Sequence, residues 1–183
     1  MNRSPRQLRS LLQRCQGGDE EALEELIRTW ERRLFYYVRR LVDCEADAWD
    51  VLQQTWTRVV KSIARVRDLN KFAPWLYRTA RNAALSHRKS VLAKEQWVDR
   101  DASVNELAGV DILEQDWTAE DVHLGLERLS AHHREVLTLF FLQDLSIDEI
   151  AEVLGVPDGT VKSRLYYAKK ALRHEFENNE DRK

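Results

Sequence analysis

Between residues 69 and 94 the chain carries six Lys or Arg and no Asp or Glu, and between residues 95 and 121 it carries nine acidic residues against the single Arg100. This reversal of sign constrains the fold more than any overall percentage. Within 95–121 the apolar residues Val104, Leu107, Val110, Ile112, Leu113 and Trp117 are scattered among the acids with only weak periodicity. Nine acids less one arginine leave eight net negative charges, a density that favours a solvated connector, partly helical at most, over a core element. The chain is therefore expected to fold as two bodies, one on each side. Only three Pro and six Gly interrupt it, and Leu, Ala, Glu, Arg and Gln are abundant, which favours helix over strand. The expected fold class is all-α: an N-terminal extension (1–18), a helical domain (19–92), an acidic linker (93–121), a second helical domain (122–177) and a polar tail (178–183).

The first domain reads as helices packed through one face each. Ala22, Leu23, Leu26, Ile27, Trp30, Leu34, Val38 and Leu41 recur at three- and four-residue steps over 20–42, and Ala48, Leu52, Thr55, Trp56, Val59 and Ile63 do so over 47–63. Residues 65–71 break the pattern. The segment 74–89, PWLYRTARNAALSHRK, then separates into two arcs at about 100° per residue. Phe72, Leu76, Ala80, Ala83 and His87 fall on one side, and Lys71, Trp75, Arg78, Arg81, Asn82, Arg88 and Lys89 on the other. A helix face that is basic, free of acids and interleaved with an aromatic is the electrostatic footprint of a phosphate-binding surface, although the whole chain has net charge -2.

The second domain opens with the apolar cluster Leu126, Leu129, Val136, Leu137, Leu139, Phe140, Phe141 and Leu142. Ser146-Ile147-Asp148-Glu149 is a capping-box sequence that starts a helix. Ile147, Ile150, Ala151 and Leu154 form its buried side, Gly155 ends it, and Val156-Pro157-Asp158 turns the chain. Val161, Leu165, Ala168 and Leu172 give the inner stripe of the next helix, with Lys162, Ser163, Tyr166, Lys169, Lys170 and Arg173 outward and Arg164 flanking. Two helices crossing closely through a Gly turn match a DNA-binding helix-turn-helix. In that motif the second helix enters the major groove N-terminal end first, so Thr160, Lys162, Ser163 and Arg164 stand nearest base edges and phosphates.

The remaining residues exclude several classes. No 18-residue apolar run and no secretory signal is present, so a cytoplasmic protein without membrane insertion is expected. Cys15 and Cys44 are isolated, with no ligand spacing for zinc. No Gly-rich phosphate loop, HExxH or nucleophile elbow occurs, and the adjacent His132 and His133 point to different sides of a helix. No catalytic residue, cofactor, metal or small-molecule substrate is expected.

Three segments, DAWDVLQQTW (47–56), FAPWLYRTARNAALSHRK (72–89) and LSIDEIAEVLGVPDGTVKSRLYYAKKAL (145–172), resemble in order the extracytoplasmic-function (ECF) sigma factors of the sigma-70 family. The resemblance covers residues 20–89 and 124–176, and implies that 19–92 is sigma region 2 and 122–177 is sigma region 4. It implies that Asp47, Asp50, Gln53 and Gln54 dock on the clamp helices of core RNA polymerase, with Trp49 and Gln54 standing where the family more often has acids. It further implies that Arg65, Lys71, Trp75, Arg78, Arg81, Asn82, Arg88 and Lys89 melt and capture the -10 promoter strand. The -35 duplex would be read by Thr160, Lys162, Ser163, Arg164, Tyr167 and Lys170. The expected partners are core polymerase, promoter DNA and an anti-sigma factor.

The residues alone leave a second reading open: a one-component helix-turn-helix regulator acting without polymerase. That reading leaves the acid-free helix around Arg78 unexplained. The connector can be a tether, an occupant of a positive channel in a partner, or a shield over a basic face, and its sequence does not choose among them.

Overall fold

The computed structural model describes residues 4–92, 125–126 and 128–180; the acidic connector and the last three residues lie outside the described set. The chain divides into two compact units, 1–97 and 98–183. All regular structure among the described residues is helical.

The first unit contains α1 (Pro5–Gln16), α2 (Glu20–Arg39), α3 (Glu45–Ser62), two short 3₁₀ turns (Ile63–Arg65 and Leu69–Lys71) and α4 (Phe72–Leu92). Each helix start is fixed locally. Ser4 and Gln7 close a reciprocal capping box ahead of Pro5. The Asp19 carboxylate accepts the Ala22 N–H at 2.9 Å to begin α2, and the Cys44 sulfur accepts the Asp47 N–H at 3.4 Å to begin α3. Within the segment 1–18, expected as an extension, Pro5–Gln16 form a helix of this unit: α1 packs on α2 and buries Leu11, Leu12 and Cys15. Arg14 reinforces the α1–α2 corner by donating from Nε to Asp19 at 2.8 Å.

The core of this unit lies where α2, α3 and α4 meet. Leu26, Leu34 and Val38 of α2, Val51, Leu52 and Val59 of α3, and Leu76, Ala80 and Ala83 of α4 are buried. Aromatic edges lock α4 onto α2. Tyr77, which the two-arc reading left unassigned, is fully buried and meets Tyr37 edge-on with ring centroids 5.3 Å apart. Trp30 meets Phe72 edge-on at 5.6 Å. Such edge-to-face pairs contribute about 0.5–1.5 kcal/mol each beyond area burial.

The second unit contains α5 (Ala131–Leu137), which widens into a π-helical turn (Thr138–Leu142), then α6 (Ile147–Leu154) and α7 (Asp158–Glu180). The wide turn changes the facing of the apolar run: Val136, Leu137 and Leu139 are buried, whereas Phe140, Phe141 and Leu142 are only half-buried. Asp144, at φ 55°, reverses the chain after it. Arg134 ties the start of the unit to α5, donating from its Nε to the Leu126 carbonyl at 3.0 Å and from a terminal nitrogen to the Leu129 carbonyl at 3.1 Å. Gly125 lies so close to α7 that a Cβ there would fall 2.1 Å from Leu172 Cδ1.

Candidate nucleic-acid interface

The buried and exposed arcs of α4 are cleanly separated. Phe72, Leu76, Tyr77, Ala80, Ala83 and Ala84 are buried, while Arg78, Asn82 and Lys89 are exposed and Trp75 is half-buried beside them. Steps of three and four residues run Trp75, Arg78, Asn82, Leu85, Lys89 down one side of the helix. Leu85 is 36% exposed within this stripe. Arg81 and Arg88 form a second, half-buried row on the flank. Arg65 and Lys71 are exposed on the two 3₁₀ turns that precede the helix.

Trp75 sits at the border between core and surface. One part of its ring tilts against Phe72 with centroids 5.7 Å apart, and the half-buried remainder stands next to the basic stripe. Gln16, the last residue of α1, holds the approach to this surface by donating its amide to the carbonyls of Ile63 at 3.1 Å and Val66 at 2.8 Å. Nothing in the local sequence pairs residue 16 with residues 63 and 66; only the packing of α1 does.

The quartet Asp47, Asp50, Gln53 and Gln54 occupies one side of α3. Asp50, Gln53 and Gln54 are exposed. Asp47 is not free: its Oδ1 lies 3.0 Å from His87 Nε2 on α4, which couples the face expected to dock to the helix expected to touch DNA. The Cys44 thiol, and after it His87, hold the Asp47 carboxyl below its ordinary range. His87, placed on the apolar arc by its spacing, is half-buried there because it faces this carboxylate.

In the second unit the Ser146–Glu149 capping box is formed in both directions. Gly155 ends α6 at φ 69°, with its N–H on the Ala151 carbonyl at 2.8 Å. The Pro157 carbonyl accepts from Thr160 and Val161 and starts α7. Val161, Leu165, Ala168 and Leu172 are buried. Thr160, Ser163, Tyr167 and Lys170 follow at steps of three and four on the opposite side, with Lys162 and Lys170 exposed and Arg164 half-buried on the flank. The Ser163 hydroxyl donates to the Thr160 carbonyl at 3.0 Å, which leaves its oxygen lone pairs outward as an acceptor site. Lys169, on the outward arc, lies 5.3 Å and 5.2 Å from the ring centroids of Phe140 and Phe141. Burial there lowers its ammonium pKa, so it belongs to the seam between α7 and the π-helical turn.

The chain matches Sigma-70 region 2 over residues 26–91 and Sigma-70, region 4, over residues 119–172. It is 34% identical over 150 residues to the ECF RNA polymerase sigma factor SigL of Mycobacterium tuberculosis, covering 76% of this chain and 80% of that one. The chain belongs to the ECF sigma factors. It is also 27% identical over 173 residues to the RNA polymerase sigma-H factor of Pseudomonas aeruginosa, covering 88% and 90% of the two chains. Its fold is that of the sigma factor RpoE solved with the anti-sigma factor NepR from Bartonella quintana, with TM-score 0.65, 20% identity and coverage of 84% and 96%. As an ECF sigma factor, the chain serves transcription initiation by RNA polymerase. The region 2 match also accounts for the helix that a one-component regulator leaves unexplained. Among the described residues no group of three or more His, Cys, Asp or Glu could hold a metal ion, and no helix is long and apolar enough to cross a membrane.

Proposed function

We propose that the sigma activity divides between the units as follows: α3 docks on core polymerase, α4 with its preceding turns opens and holds the -10 strand, and α7 reads the -35 duplex. The observation that carries the reading is the exposed stripe Trp75, Arg78, Asn82, Lys89, set on a helix whose opposite side is fully buried. A separated strand offers unstacked bases and closely spaced phosphates. A half-buried indole can stack on the former, and Arg and Lys can hold the latter. On α7 the matching logic is duplex readout: Arg164 has the paired donors that suit guanine, and Lys162 and Lys170 suit phosphates.

The docking face is Asp50, Gln53 and Gln54, with Asp47 braced by His87. The protein works in the cytoplasm as a non-enzymatic initiation factor, the chemistry of RNA synthesis being the polymerase's own. An anti-sigma factor covers one or more of these surfaces when the factor is idle; RpoE, a protein of this fold, is solved in complex with the anti-sigma factor NepR.

Run-off transcription with purified core polymerase on genomic fragments tests the proposal. Defined transcripts are expected only when both proteins are present. In a mobility-shift assay the isolated chain should select promoter duplex weakly and the holoenzyme strongly. Specific, strong duplex binding by the chain alone would instead mark an autonomous regulator.

A further inference from the structure

We propose that the outward face of the Trp49 indole seats an arginine guanidinium of core RNA polymerase, which makes Trp49 an anchor of the α3 docking face. The inference rests on the reading that α3 docks on polymerase, and it adds a residue and a contact chemistry to that face.

Trp49 is 47% exposed, one of three exposed large apolar side chains among the described residues, with Val60 at 48% and Leu85 at 36%. Trp49 and Val60 are eleven residues apart on α3, which at about 100° per residue leaves them on nearly the same side. Gln53, one turn on, shares the side of Trp49, and Asp50 and Gln54 flank it at about 100° and 140° round the helix. The ring is held in place rather than loose. Its inner face stacks on Phe35 of α2, centroids 4.3 Å apart and planes 32° apart, and its Nε1 reaches Glu45 Oε1 at 3.4 Å. An aromatic immobilised before binding loses little further freedom on contact, which is the condition under which tryptophans become interface anchors.

The surroundings select the chemistry of the partner. Glu45, one turn before Trp49, shares its side and Asp50 flanks it, while Asp47 turns away toward His87; no Lys or Arg occurs from Val42 to Thr57. An apolar aliphatic surface placed there would desolvate these carboxylates without replacing their hydrogen bonds. A guanidinium satisfies both demands: its plane stacks on the indole while its edge donors reach the neighbouring carboxylates. A lysine would supply charge but no stacking plane. Where the family more often places an acid, this chain thus keeps a cation-seeking site by another means.

The test measures the affinity of the full-length chain for core polymerase at low and high salt, with circular dichroism to verify helicity. Variants are Trp49→Phe, Trp49→Leu, Trp49→Ala and Asp50→Asn. Phe should retain affinity within about threefold, whereas Leu and Ala should each lose about tenfold or more. The Asp50→Asn loss should shrink as salt rises, and the Trp49→Ala loss should persist. If Leu binds as well as Trp, the contact is plain apolar burial and guanidinium stacking is overturned. Unchanged affinity in every Trp49 variant alongside a loss in Asp50→Asn overturns the anchor but leaves α3 as the docking face. If neither position matters while the chain still supports run-off transcription, the docking assignment itself falls.

Discussion

At the scale of single residues, the strand opening proposed for α4 and the docking proposed for α3 should be separable. Arg78 is exposed on α4 and Arg81 half-buried on its flank, whereas the quartet lies on α3. The double reversal Arg78→Glu, Arg81→Glu should therefore slow promoter opening by about tenfold or more, equivalent to 1.4 kcal/mol at the barrier. Affinity for core polymerase should stay near that of the native chain. Permanganate footprinting of the melted strand, beside a core-binding titration, reads the two apart, and an equal loss in both contradicts the assignment. On α7, Lys162→Ala should weaken duplex binding by the holoenzyme across sequences and reduce the salt slope by about one. Arg164→Ala should relax base preference instead. His133 gives this region a pH dependence. Burial, then the positive charges of His132 and Arg164, lower its pKa. Its neutral form is thus favoured in the fold, and the unfolded chain binds more protons below the ordinary histidine value of about 6.5. The stability it contributes is fully present above that value and is lost as pH falls through the lowered folded value. Replacing it by Gln should flatten this part of the pH dependence of thermal unfolding between about pH 7.5 and 5.5. An identical slope in both proteins would remove His133 from the account.

At the scale of elements, what was legible in the sequence was what is local. The two arcs of α4, the Ser146 capping box, the Gly155 turn and the inner stripe of α7 all follow from side chains within a few positions of each other, and periodicity or turn chemistry reports them directly. What was missed depends on partners distant in the chain. Leu8, Leu11, Leu12 and Cys15 have helical spacing, but that stripe acquires meaning only when α2 packs against it, so α1 read as an extension. Trp49 read as a substitution within an acidic motif; its support by Phe35 is a contact between helices. Tyr77 was overlooked because its burial needs Tyr37 opposite. The Gln16 clamp illustrates the same point and makes a test of it. Its amide holds the carbonyls of Ile63 and Val66, which bracket Arg65 and precede Lys71. Gln16→Ala removes both part-buried hydrogen bonds, so stability should fall by about 1–3 kcal/mol. Strand opening should still slow severalfold, because the turns lose their fixed start. A variant that opens promoters at the native rate would show that α1 supports the core only.

At the scale of the whole molecule, the charge reversal near residue 94 anticipated the division into two units, each of which closes its own core from its own helices. Such units should lose structure independently, and the placement of tryptophan makes this measurable. Trp30, Trp49, Trp56 and Trp75 lie among the described residues of the first unit, Trp97 and Trp117 lie outside the described residues, and no tryptophan follows residue 117. Gly125 touches α7 through Leu172, whose side chain is fully buried and has little room to retreat. Gly125→Ala should therefore overpack the second unit at a cost of about 1–3 kcal/mol. The expected signature is a split melt: the helical signal from circular dichroism gains an early transition, while the tryptophan fluorescence transition of the first unit keeps its midpoint. Were both signals to shift together, the two cores would be unfolding as one cooperative body. The same substitution should leave docking on core polymerase intact and weaken selection of the -35 duplex, since α3 stands in one unit and α7 in the other.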